Sequence, residues 1–489
     1  MNKITRFLTG DAVGRKPKFG EACVLMALVC CILVYLNIFL GVSSLVSLFI
    51  ALVICSVFTI SWGYSWKAIE EMMMTGLRKG LLAMIINLLI GMLIAAWCAG
   101  GTVPYIIYLG LQIISPRWFL VTTCVICCIM STCTGSSWTT AGTVGVAMFG
   151  IGTAMGIPAG LVVGPILAGS YFGDKLSPVS ESTNLASAAA ETPLLEHVHS
   201  MLFVVVPATI GSCIIFAFMG WHYGANGLAD TSNVAVLLEG LSSRFWLNPV
   251  LLLPVFVMGV LIYKKVPAIL TMCAAILMGM FFACTQGSSF SAIADALVNG
   301  FKAESGIGAV DSMLAKGGIN AMRNTVYILI LGLPMGGILK ETHTMEIIVF
   351  HFKSIVRSRV SVITGSLITV MAMAAICGDT YAAYILTCSA FGAAHDRLQL
   401  DRKVLSRSCE MGVVCCCLMG WTSGGAYMSG LFGVTPLEYM PYYYWGYLIF
   451  AFNIICAVTG YGIFYKGGRR GWGRDKEIPP VLELAEAGV

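Results

Sequence analysis

Leu176-Ser177 carries Glu181 four residues after the serine, and Leu405-Ser406 carries Glu410 at the same interval. Both stretches sit between long apolar runs. A carboxylate at membrane depth costs about 3 kcal/mol or more to place, so its presence there marks an ion or proton path. Finding the pattern twice points to a duplicated unit whose acidic groups handle a cation.

Three polar clusters interrupt the apolar runs. The first runs through Thr134, Gly135, Ser136, Ser137, Trp138, Thr139, Thr140 and Thr143, inside a stretch from Trp118 to Gly173 that has no charge. Glycines and hydroxyls at this density weaken a helix and free backbone carbonyls, which are hard oxygen ligands suited to a small cation. Close helix packing through small residues is the competing reading. The second cluster holds Asp174, Lys175, Ser177, Pro178, Ser180, Glu181, Ser182, Thr183 and Asn184. Pro178 cannot continue the helical ladder, so the chain is expected to break there and to offer Ser180, Glu181, Thr183 and Asn184 as oxygen ligands. A polar loop outside the membrane is the alternative. The third cluster is composite: Asp379 and Thr380, then Ser406, Arg407, Ser408 and Glu410, then Trp421, Thr422, Ser423 and Tyr427. Asp379 closes the uncharged run from Val360 to Cys377 and is the carboxylate most expected at the site.

The elements that must hold these groups are membrane helices. The chain has 489 residues, 58% hydrophobic and only 11% charged, far from the roughly 25% charged residues of a soluble domain. Apolar runs extend from Ala22 to Leu40, Val42 to Trp62, Leu81 to Trp97, Leu202 to Trp221, Leu247 to Tyr263, Val266 to Thr285, Val360 to Cys377, Val413 to Val434 and Tyr444 to Phe464. Most approach the roughly 20 residues that span a bilayer as helix. The first run follows basic residues as a signal peptide would, but it is too long for one and reads as a retained helix. The 19 cysteines lie mostly inside apolar runs and read as small hydrophobes, including the Cys124/Cys127 pair.

The net charge of +5 is no nucleic-acid signal, because the basic residues flank the spans. Lys3, Arg6, Arg15, Lys16 and Lys18 precede the first, and Lys466, Arg469, Arg470, Arg474 and Lys476 follow the last. Both termini are therefore expected in the cytoplasm, with an even number of crossings. Arg397, Arg402, Lys403 and Arg407 read as cytoplasmic loop charges. His197 and His199 read as interfacial, solvated groups rather than metal ligands.

Further weak matches between the halves keep the same order. Ala68-Ile69 answers Ala292-Ile293, Ile90-Gly91 answers Leu331-Gly332, and Gly135-Ser136-Ser137-Trp138 answers Gly378-Asp379-Thr380-Tyr381. Charge placement orients them. Uncharged Gly41 follows the first span of one half and Lys264-Lys265 the first span of the other, which makes the repeat inverted. The expected architecture is an all-α polytopic membrane protein with about 10 to 12 transmembrane helices in two inverted-topology repeats with discontinuous helices. Its parts are a cytoplasmic segment 1–20, repeat one at 21–223, an extracytoplasmic linker 224–246, repeat two at 247–465 and a cytoplasmic tail 466–489.

The stretches GSSWTTAGT, GDKLSPVSESTN, GDTY, LSRSCEMG and WTSGGAYM closely resemble signatures of the NhaC-type sodium/proton antiporters, within the broader ion-transporter superfamily, over roughly residues 20 to 465. The resemblance implies an inner-membrane exchanger of sodium against protons, lined by the polar residues of the first signature, by Asp174, Ser180 and Asn184, and by Asp379, Glu410 and the Trp421 segment. Ser177, Glu181, Thr183, Thr380, Thr422 and Ser423 complete the candidate site. Two departures stand out: Glu181 replaces the aspartate usual in that stretch, and Ser136 replaces a threonine. Relatives that move carboxylic or amino acids keep a sodium- or proton-coupled organic solute open as substrate.

Exchange needs only one group that takes either ion. Burial brings a carboxylate to the point where protonation and sodium binding compete near physiological pH. The expected partners are a sodium ion, a proton and the lipid bilayer, with a small organic acid or amino acid and a homodimeric assembly left open; no nucleic acid and no cofactor are expected. No GxxxxGK run offers an ATP site and no HExxH offers a membrane zinc protease. An intramembrane aspartyl protease is a rival from another class, since Gly173-Asp174 and Gly378-Asp379 adjoin apolar helices. Tyr171 and Ile376 stand where it would need glycine. A passive channel is disfavoured by the inverted repeat.

Overall fold

The computed structural model describes residues 14–467, except 114, 179, 226–230, 265, 304, 308–309, 312–313, 316, 353–357 and 378–379. Among them, helices account for nearly all of the ordered structure, with one isolated bridge between Leu400 and Tyr465. The first half contains α1 (Phe19–Val34), α2 (Ser44–Ser61), α3 (Trp66–Ala99), α4 (Thr102–Ile113), α5 (Phe119–Thr134), the short α6 (Ser137–Thr140), α7 (Val146–Ala154), α8 (Ala159–Leu176), α9 (Glu181–Ala189) and α10 (Leu194–Ala225). After α11 (Thr231–Arg244) come α12 (Leu253–Tyr263), α13 (Ala268–Thr285), α14 (Phe290–Asn299), α15 (Arg323–Glu341), α16 (Thr344–Phe352), α17 (Arg359–Cys377), α18 (Thr380–Arg397), α19 (Arg402–Gly412), α20 (Ser423–Phe432), α21 (Pro436–Tyr439) and α22 (Tyr444–Thr459). The chain is an all-α polytopic membrane protein.

Its outer surface is apolar, as lipid contact requires. Phe49 and Val57 on α2, and Ile210, Phe218 and Trp221 on α10, are all more than half exposed, an arrangement that water would penalise and hydrocarbon does not. Among the described residues, five helices are long and apolar enough to cross a bilayer, and up to nine spans result if each sharply bent pair is one. Shorter apolar helices, Phe119–Thr132, Ile269–Thr285 and Phe290–Asn299, stand beside them. Several runs are broken into pieces, as expected: Met84–Ala99 and Thr102–Gln112 meet at 67°, and Arg402–Leu418 and Ser423–Phe432 at 44°. The stretch 224–246, read from sequence as a linker, holds α11, whose Leu237 and Leu241 are buried.

Two breaks position the polar clusters. α5 stops at Gly135, whose φ of 66° is the left-handed conformation that glycine adopts without strain. Ser136 then caps the next turn by accepting from Thr139 N at 3.2 Å, and a π-helical turn, Ala141–Gly145, leads into α7. In the second half α19 tightens into a 3-10 turn, Val413–Leu418, before α20 begins at the Thr422 cap. The two breaks face each other: the rings of Trp138 and Tyr427 stack at 4.6 Å and 8°, and Tyr427 OH donates to Trp138 O at 2.8 Å.

α8 runs beside α5 in backbone contact. A Cβ on Gly169 would collide with Cys124 O, and one on Gly173 with the backbone of Ser131 and Thr132. This close approach delivers Asp174, one residue past Gly173, to the break after α5. Proline ends the segment as expected, since α8 stops at Leu176 and Ser180 restarts the helix as the N-cap of α9.

Candidate ion-binding site

Asp174 and Lys175 end α8, Ser182 and Thr183 open α9, His197 opens α10, and Glu410 sits in α19. These side chains close on one another in the protein interior. Lys175 and Glu410 are 2% and 0% exposed, His197 is 0% and Asp174 is 7%. Lys175 Nζ stands 3.3 Å from Asp174 Oδ2 and 3.3 Å from Glu410 Oε1, and donates to Ser182 Oγ at 2.9 Å. An ion pair at that range is worth roughly 5 kcal/mol at an effective dielectric near 20, which offsets part of the several kcal/mol lost in drying each charge.

Hydroxyls supply the rest. Asp174 accepts from Ser180 at 2.8 Å and from Ser137 at 3.3 Å, and Ser182 Oγ, with one hydrogen to give, lies 3.4 Å from its Oδ2. Glu410 Oε1 accepts from Thr183 at 3.0 Å and Ser182 at 3.1 Å. Glu410 Oε2 lies 2.5 Å from His197 Nε2, whose Nδ1 lies 2.7 Å from Ser406 Oγ. Ser182 Oγ thus lies between the two carboxylates, and the residue just after the first Leu-Ser-x-x-x-Glu stretch meets the glutamate of the second. A carboxylate ringed by hydroxyls can exchange those donors for a small hard cation, because each hydroxyl oxygen has lone pairs to turn toward it.

The candidate residues divide accordingly. Asp174, Ser137, Ser180, Thr183 and Glu410 converge. Thr134, Ser136, Thr139 and Thr140 line the break beside them: Thr134 Oγ1 lies 3.2 Å from Thr140 Oγ1, and Thr139 Oγ1 donates to Ser136 Oγ at 3.1 Å. Ser177 donates to Thr132 O at 2.9 Å and Asn184 to Pro178 O and Ser180 O, so both brace the segment between α8 and α9. Trp421 donates to Ala375 O at 2.9 Å, Thr422 donates to Cys416 O at 2.6 Å, and Ser423 is half-buried at the start of α20. Glu181 is exposed on the first turn of α9 rather than enclosed with Asp174. Thr380 starts α18 and is half-buried; Asp379 lies outside the described residues.

Two readings of basic residues are corrected. His197 was expected to be interfacial, but α10 already begins at Leu194, and a helix turns about 100° per residue. Glu196 therefore faces out to pair with Lys403 at 2.8 Å while His197 faces in. Arg407 was expected among cytoplasmic loop charges, yet it is fully buried on α19, donating from Nη1 to Gly462 O at 2.7 Å. Lys175, Ser182 and Ser406 stand within the polar stretches but are not among the candidate site residues, and His197 reads from the sequence as solvated. For His197 a signal existed: His197, Ser200, Met201, Val204 and Ala208 fall on one helical stripe, and all five are 0% exposed.

A bundle of broken apolar helices closed over ionisable side chains is the build of a secondary transporter. The chain belongs to the Na+/H+ antiporter family, whose profile matches residues 169–461, a range that holds every residue of the enclosed cluster except Ser137. It is 37% identical over 376 residues to the malate-2H(+)/Na(+)-lactate antiporter of Bacillus subtilis, covering 76% of this chain and 80% of that one. It is 30% identical to the Na(+)/H(+) antiporter NhaC of Alkalihalophilus pseudofirmus over 81% of this chain and 86% of the relative. It is also 32% identical to the arginine/ornithine antiporter ArcD of Halobacterium salinarum, over 77% and 78%. The chain is a transporter and not an enzyme.

Proposed function

We propose that the chain exchanges sodium for protons across the plasma membrane by alternating access, with both termini in the cytoplasm. The observation that carries this is the enclosure of Asp174 and Glu410, from the two halves of the sequence, around one lysine in an apolar bundle. Sodium sits at Asp174, where Ser137 and Ser180 turn their hydroxyl oxygens to it. The two broken segments, after α5 and after α19, serve as matching parts of two inverted halves, 21–223 and 247–465, whose rocking exposes the site to each side in turn.

Coupling to an organic acid is a second reading. Lys175 is a buried ammonium between two carboxylates, and a solute carboxylate could displace either; the B. subtilis relative named for malate and lactate points the same way. Proteoliposomes loaded to an acid interior test both. Sodium added outside should collapse the pH gradient with no organic solute present, and Asp174→Asn should abolish that response. Collapse that requires malate, lactate or arginine would overturn simple exchange in favour of the second reading.

A further inference from the structure

His197 presents one ring nitrogen to Glu410 and the other to Ser406, and sodium binding at Asp174 does not use it. Ser406 Oγ is also 3.1 Å from the Lys403 carbonyl, which can only accept. If the serine hydrogen goes to that carbonyl, Nδ1 must carry a hydrogen and donate to Oγ. Nε2 and Glu410 Oε2 would then be two acceptors 2.5 Å apart, so one more proton has to lie between them. If the serine instead donates to Nδ1, Nε2 carries the ring's single hydrogen and donates to Glu410, with no extra proton. One heavy-atom arrangement serves both protonation states, separated by the rotation of a hydroxyl.

Charge makes the two states meaningful. With His197 neutral, Asp174, Glu410 and Lys175 leave one uncompensated negative charge in a nearly closed space. Either a sodium ion at Asp174 or a proton on the His197–Glu410 pair neutralises it, and both together strand a positive charge. Several kcal/mol oppose burying such a charge. We propose that the transported proton is held by the His197–Glu410 pair, apart from the sodium position at Asp174, and that Lys175 makes the two occupancies exclusive. Lys175 leans to Glu410 when sodium holds Asp174, and to Asp174 when the proton holds Glu410.

The balance is simple. A proton joins the Nε2/Oε2 pair as sodium leaves Asp174, and its loss on the other side returns a neutral imidazole with Ser406 donating to Nδ1. The helices packed against α10 carry other charged or titratable groups, among them Tyr171 on α8 and Cys409 on α19, with His199 and Cys213 on α10 itself. α19 supplies Arg407, bonded to carbonyls, and Lys403, paired with Glu196 at the surface; α8 supplies Asp174 and Lys175; α9 supplies the exposed Glu181. α5 carries the thiols of Cys124, Cys127 and Cys128, of which Cys124 lies against Cys213 far along α10 from His197, and α22 carries that of Cys456, against Phe203 O.

This inference rests on the sodium/proton reading above, and the test separates the two. The full chain in proteoliposomes is assayed for sodium counterflow, using radioactive sodium without a pH gradient, and for sodium-driven proton movement across a range of pH. Absence of both in the wild type overturns the reading and the inference together. In His197→Gln, the ratio of proton movement to counterflow should fall by about 100-fold, the low end for removing a positioned proton-transfer group. A wild-type ratio and pH profile would overturn the inference while leaving the reading intact. Ser406→Ala keeps the imidazole and removes the Nδ1 partner of both states, but a charged N–H left without an acceptor costs more than a neutral ring nitrogen left without a hydroxyl donor, so the proton-loaded state is weakened more. Its pH profile should move to lower pH by about one unit, the equivalent of one hydrogen bond; an unmoved profile counts against the proposal even if His197→Gln does not fold.

Discussion

Lys175 of α8 and Glu410 of α19 are joined at 3.3 Å although they come from opposite halves of the chain, and Asp174 holds the same ammonium at the same distance. Removing the lysine leaves two carboxylates facing each other through one serine. Lys175→Met should lose sodium-driven proton movement and destabilise the protein by about 3 to 5 kcal/mol, the usual consequence of breaking a buried pair from one side. Thermal inactivation in detergent measures the second effect, and stability equal to wild type would refute it.

Carboxylate roles should divide by enclosure. Asp174→Asn is expected to abolish exchange, whereas Glu181→Gln, altered on an exposed turn of α9, should retain more than about half of it. Equal loss in the two variants would place Glu181 on the ion's route and make the enclosed pair an incomplete account.

Gly173→Ala adds one methyl where α8 touches the backbone of Ser131 and Thr132. Overpacking of this kind costs about 1 to 3 kcal/mol. The resulting shift should also move Ser137 away from Asp174, so the apparent sodium KM should rise several-fold. A lowered stability with an unchanged KM would detach the helix contact from ion binding.

Tyr427→Phe keeps the stack on Trp138 and deletes a hydrogen bond to its carbonyl. The expected loss is about 1 kcal/mol. Tyr427→Ala removes the stack as well and should cost about 3 to 5 kcal/mol, read from the same thermal inactivation series.

Asp396, at the surface end of α18, bonds Arg402 and Lys466 and is held by them at about 2, below the usual 3.8. Because its folded value is depressed, the contact contributes fully above 3.8 and is lost only as pH falls through about 2. It is therefore constant through neutral and alkaline pH. Asp396→Asn should leave the pH profile of exchange where it is, and a shifted profile would link this surface cluster to the enclosed one.

The sequence revealed the helical class, the breaks and two of the central groups for physical reasons. Long uncharged runs are stable only where lipid surrounds them, and glycine, proline and clustered hydroxyls within them mark where a helix stops. Asp174 and Glu410 were isolated carboxylates beside such stops. What stayed hidden was which face each side chain takes. Glu181 and Glu410 occupy the same motif position, yet only Glu410 turns inward, because neighbouring helices rather than the motif decide burial. Lys175 looked like an ordinary boundary charge until the fold put a second carboxylate against it. His197 was misplaced by starting its helix some residues too late.

The glycine-mediated contact between α5 and α8 leaves no side chains between the two backbones to repack. A pair of rods locked in this way travels as one body. Whatever displacement carries the ion from one side to the other must occur elsewhere, and the seam where α8 and α9 meet α19 is held by side chains alone. Among the described residues, the polar bonds that join these three helices across that seam all belong to the cluster proposed to bind the ion, so on that proposal cargo and hinge share the same atoms.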